Sequence, residues 1–60
     1  MGEWIVTTKW KNGKMLYAVC RVIDINQDIN KYNLQFASDF SEDLEEMENL
    51  AKKLNLREGE

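Results

Sequence analysis

The sequence has no proline and no histidine, one cysteine (Cys20) and three glycines among its 60 residues. Each shortage removes a class of explanation. Without proline, no folding step waits on prolyl isomerisation. A lone cysteine forms no disulfide within the chain, so the usual staple of a small core is missing. With no histidine beside that one thiol, a structural zinc site has no ligand set. Ser–His and Cys–His catalysis likewise have no base within one chain. A single thiol fits a reduced, intracellular setting. No run approaches the roughly 20 apolar residues that span a bilayer. The first residues lack the basic start and apolar run of a signal peptide. A cytoplasmic protein without a membrane partner is the expectation.

What is present reads as a globular domain. Apolar residues make up 43% and charged residues 32%, with two each of Trp, Tyr and Phe; disordered chains lack such a balance. Residues 1–60 leave room for a single small domain, and a chain of this size buries only about 60% of the surface it exposes when unfolded. Setting burial at about 25 cal/mol/Å² against about 1.5 kcal/mol per ordered residue leaves such a domain near zero. Marginal stability, or help from a partner, is expected.

The apolar period changes once along the chain, from near two before residue 38 to helical after residue 40. Residues 3–11 are rich in the strand formers Trp, Ile, Val and Thr. Asn12-Gly13 follows, the strongest short hairpin signal, because a type I′ turn needs positive φ at both central positions. Residues 14–24 form the second strand. A two-residue turn sets Lys11 opposite Lys14, Trp10 opposite Met15, Thr8 opposite Tyr17 and Val6 opposite Val19. One face then carries Trp4, Val6, Thr8, Trp10, Met15, Tyr17, Val19, Arg21 and Ile23. The other, mixed face carries Ile5, Thr7, Lys9, Lys11, Lys14, Leu16, Ala18, Cys20, Val22 and Asp24.

An Asn- and Asp-rich connection over 25–31 leads to a third strand over 32–38, in which Tyr32, Leu34 and Phe36 share a side. It is expected to run antiparallel to the second. The helix spans about 40–54. Asp39, with Glu42 three residues on, or Ser41 caps its start, and acids follow at the positive end of the helix dipole. Leu44, Met47, Leu50, Ala51 and Leu54 form its apolar stripe. Asn55 is the expected stop, and 56–60 is expected to fray. The fold class is therefore α+β: a three-stranded antiparallel meander and one C-terminal helix packed on one face (β-β-β-α). The aromatic face, the helix stripe and Tyr32, Leu34 and Phe36 are expected to form the core.

Charge divides along the chain. Residues 1–37 set Lys9, Lys11, Lys14, Arg21 and Lys31 against Glu3, Asp24 and Asp28, whereas residues 38–60 hold three bases against eight acids. A mildly basic sheet is backed by an acidic helix.

Three binding readings follow. One helix covers one face of the sheet, so the apolar residues of the other, Ile5, Leu16, Ala18, Cys20 and Val22, would stay in water. Exposed apolar patches mark interaction sites, and two such faces can pack in a symmetric dimer. A homo-oligomer or another protein is the leading partner, with Lys9, Lys11 and Lys14 at the rim.

The second reading is nucleic-acid binding, with Lys9, Lys11, Lys14 and Arg21 as phosphate donors on a strand ribbon. The order of elements, Trp4 near the start, the Asn12-Gly13 turn and Phe40 before the helix resemble the arm-binding domains at the N-termini of phage and transposon integrases. That resemblance implies DNA binding by a three-stranded sheet. Lysines at a hairpin tip also solubilise an edge without binding anything.

In the third reading Glu42, Asp43, Glu45, Glu46 and Glu48 mimic nucleic acid or inhibit a basic partner; acids on a solvated helix face are otherwise routine.

No catalytic residue, cofactor or metal is expected. The pairs Glu45/Glu48 and Asp39/Glu42 lack the apolar pocket that raises a carboxylate pKa. Cys20, amid apolar neighbours, reads as an inert thiol. Asp24, Asn26 and Asp28 alternate as in a calcium loop, but that loop's Gly and closing Glu are missing.

Overall fold

A computed structural model describes residues 2–58 of the chain. Two strands, β1 (Ile5–Lys11) and β2 (Lys14–Val22), are joined by the Asn12-Gly13 turn. Both turn residues have positive φ, 53° at Asn12 and 77° at Gly13. This is the backbone a type I′ turn demands, and Asn and Gly adopt it at least cost. The hairpin register is the one the turn dictates, with Lys11 opposite Lys14 and Val6 opposite Val19.

A single 3-10 turn (Lys31–Asn33) leads into a short β3 (Leu34–Phe36), which pairs antiparallel with β2. The sheet order is β1-β2-β3, a meander. Helix α1 (Leu44–Glu58) closes the chain and packs on β2 and β1. The strands are shorter than the sequence pattern suggests, and the helix lies four residues later. Residues 56–58, expected to fray, are helical, and 59–60 lie outside the described residues.

The core is small and sits between α1 and the aromatic face. Trp4, Val19, Met47 and Ala51 are buried there, with Val6, Tyr17, Leu50 and Leu54 packed around them. Burial of a large apolar side chain stabilises by about 1.5–3 kcal/mol, so the few buried residues carry most of the hydrophobic stabilisation. The Arg21 guanidinium lies 4.4 Å from the centre of the Trp4 ring and donates from Nε to the Gln35 side chain at 2.8 Å. The Trp4 indole N–H is buried without an acceptor.

Seven apolar residues expected in the core lie outside it. Trp10, Met15 and Ile23 on the aromatic face and Leu44 on α1 are exposed, because the core gathers only around Trp4, Val19, Met47 and Ala51. The three residues expected from the third strand lie elsewhere. Leu34 is opposite Val22 and Phe36 opposite Cys20. Directly opposed residues share a face, so both belong to the mixed face, away from α1. Tyr32 sits in the 3-10 turn at 82% exposure. An alternating pattern says which residues share a side, and only the pairing register says which side that is.

The helix start also differs from both caps expected. The Asp43 carboxylate accepts the Glu46 amide at 3.0 Å, and the Ser41 hydroxyl accepts the Asp43 amide at 3.1 Å. Asp43 is therefore the cap, three residues before Glu46. Asp39 and Ser41 precede the helix because the chain is still paired with the sheet there. Ser41 exchanges backbone bonds with Tyr17 at 2.7 and 2.8 Å.

Candidate interaction surface

The mixed face is built by alternation along three strands. Ile5, Thr7 and Lys9 come from β1, Leu16, Ala18, Cys20 and Val22 from β2, and Leu34 and Phe36 from β3. No helix covers it, but it is not bare. After Phe36 the chain stays beside β2 in an irregular path. The Ala37 amide bonds the Val19 carbonyl at 2.8 Å, and the Ser38 hydroxyl accepts the Val19 amide at 3.0 Å. That path carries Phe40 onto the face.

Phe40 meets Phe36 with ring centres 5.8 Å apart, and the Lys9 ammonium lies 5.1 Å from the Phe40 ring centre. Phe36 is on β3 and Lys9 on β1, so a ring that touches both must cross β2 between them. Beneath that crossing Ala18 is 0% and Cys20 1% exposed.

The sequence-based set thus divides. Ala18 and Cys20 are buried within the chain, which corrects the expectation that they stay in water. Ile5 is 49% exposed, Phe36 is 45% exposed, and Leu16 and Val22 are half-buried. The accessible apolar strip is Ile5, Leu16, Val22 and Phe36. Phe36 and Phe40 are the additions that sequence reasoning missed; the alternation of 32–38 carried the signal for Phe36, and Phe40 lies outside any periodic run. Burial raises the Cys20 pKa, so its thiol stays protonated and poorly nucleophilic.

The basic residues do not form one cluster. Lys9 is engaged with Phe40, and Lys14 pairs with Glu42 at 3.1 Å. Lys11 is exposed on the same face. Arg21 lies on the helix side of the sheet against Trp4, so it does not act together with the three lysines. On the acidic side Asp43 is occupied as a cap and Glu42 as the partner of Lys14. Glu45, Glu46 and Glu48 are exposed on α1.

Two further residues escaped sequence reasoning. Asn33, buried, accepts the Asp24 amide and donates to the Asp24 and Asp28 carbonyls, all within 3.1 Å. It holds the connection between β2 and β3 in place. The same connection turns at Asp24, whose carboxylate accepts the Asn26 amide; Asp24, Asn26 and Asp28 serve the turn. Asn55 does not stop the helix. It lies inside α1, accepting the Trp4 amide at 2.8 Å and donating to the Trp4 carbonyl at 3.0 Å.

Among the described residues no group of His, Cys, Asp and Glu is placed to hold a metal ion. No described helix is long and apolar enough to cross a membrane. Comparisons with known families, curated proteins and solved structures return no match for this chain. What the fold defines is a small α+β domain with one face part-covered by a helix and the other part-covered by Phe40.

Proposed function

We propose that this chain is a binding and assembly domain rather than an enzyme, acting through the sheet face opposite α1. The observation that carries this reading is the strip of Ile5, Leu16, Val22 and Phe36, apolar and accessible on a face that no helix covers. Side chains on a flat sheet face pack well against a second sheet, and a second copy of the chain is the first candidate partner. Lys9 and Lys11 stand beside the strip as its polar margin. Phe40 gives the face a fixed, tilted ring rather than a pocket, which suits a protein surface better than a small molecule.

Leu16, at the hairpin-tip end of the strip and paired with Lys9, is the place to test it. Leu16→Glu is expected to lower the sedimentation-average mass at micromolar to millimolar concentration while the circular dichroism is retained. An unchanged mass, with association persisting, would show that this face is not the contact.

A further inference from the structure

β2 is flanked on both sides, by β1 and by β3 with its extension to Ser41. β1 is flanked on one side only. Which of its backbone groups face outward follows from the turn. A two-residue hairpin closes on a hydrogen-bonded pair, here Lys11 and Lys14, and such pairs alternate along the ladder. Ile5, Thr7, Lys9 and Lys11 therefore bond to β2, and Trp4, Val6, Thr8 and Trp10 direct both N–H and C=O away from it. The Trp4 groups confirm the assignment, because both are taken by Asn55 on α1. Among the described residues nothing supplies a partner for the outward groups of Val6, Thr8 and Trp10. Asn55 ends the open edge at one side and the Asn12-Gly13 turn ends it at the other.

We propose that this edge pairs with the same edge of a second copy, antiparallel, about a two-fold axis at Thr8. Register selects this pairing. Thr8 faces the partner copy's Thr8, and Val6 faces the partner copy's Trp10, so every outward N–H and C=O is paired. Aromatic–β-branched and Thr–Thr pairs are both favourable across strands. Trp10, 67% exposed in one copy, gains an apolar neighbour. On the other face Lys9 meets Thr7 and Lys11 meets Ile5, so no lysine opposes a lysine.

Neighbouring registers are worse. Moving the axis to residue 7 sets Trp10 against Trp4, whose groups Asn55 already holds. Moving it to residue 9 sets Lys9 against Lys9, a repulsive pair. Lysines on an edge strand commonly discourage pairing; here Lys9 is drawn over Phe40. The two-fold axis stands perpendicular to the sheet, so both helices lie on one side and both uncovered faces join on the other. This contact is independent of the face contact proposed above.

The test is amide hydrogen exchange resolved by residue between micromolar and millimolar concentration, on the wild-type chain and on Leu16→Glu. The Val6, Thr8 and Trp10 amides are expected to slow together as concentration rises, in both proteins. Thr7 and Lys9, already bonded to β2, serve as the internal reference. A chain synthesised with an ester in place of the Thr8 amide loses two symmetry-related bonds, and its dimer is expected to dissociate about tenfold more readily. Exchange at Val6, Thr8 and Trp10 that does not vary with concentration would overturn the proposal, whether the chain stays monomeric or associates by its face alone.

Discussion

Single residues do unusual work in so small a core, and two asparagines show it. Asn55 supplies Trp4 with both a donor and an acceptor, as a neighbouring strand would. Leaving such groups part-buried and unmade costs about 1–3 kcal/mol. Asn55→Leu is therefore expected to lower stability by about that amount, read from the urea midpoint at unchanged slope. An unaltered midpoint would mean that solvent replaces the clamp freely. Neither asparagine was legible in the sequence. Asn is common both in turns and after helices, and local pattern gave Asn55 the second role. Its true partner lies 51 positions away, beyond any local signal. Asn33 was hidden in the same way, because its alternation with Tyr32 and Leu34 made it look solvent-facing.

Among the elements, legibility followed the strength of local constraint. The hairpin register was readable to the residue, although the strand ends were not, because Asn12-Gly13 admits one turn geometry and that geometry fixes the register. The third strand was readable in direction and not in orientation. Its connection to β2 is long and irregular, so parity could not be carried across it. The helix was readable in its stripe of Met47, Leu50, Ala51 and Leu54 and not in its start, since Asp39, Ser41 and Asp43 all have capping chemistry. Backbone pairing of Ser41 with Tyr17 decides among them by keeping the first two out of the helix. Asp43→Ala should then cost about 1 kcal/mol, seen as a lower thermal midpoint, whereas Asp39→Ala should leave the midpoint in place. Equal losses at both positions would count against Asp43 as the cap.

For the molecule as a whole, the governing fact is thinness. The backbone spans 35 × 26 × 11 Å, little more than a sheet and a helix in depth. One helix cannot wrap a sheet with apolar residues on both sides, and the connection after β3 provides the second cover through Phe40. Removing that ring should uncover what it shields. Phe40→Ala is expected to speed modification of Cys20 by a thiol reagent several-fold at neutral pH, with the sheet retained. A thiol that remains as slow as in the wild type would place its shield elsewhere. The accessible strip beside this ring was legible as Ile5, Leu16 and Val22. The loss of Ala18 and Cys20 to the interior was not, because it depends on an aromatic residue outside every periodic segment.

The bond between Trp4 and Asn55 also bears on how the chain comes to be folded during synthesis. The hairpin emerges first, with its turn ready to close. Its opening residue finds its partner only when the last turns of the helix have been made. Domains form N-terminal first on the ribosome where their contacts permit. This one ties Trp4 to a residue 51 positions further on, so the outer edge of the sheet is clamped only after the helix behind it has formed.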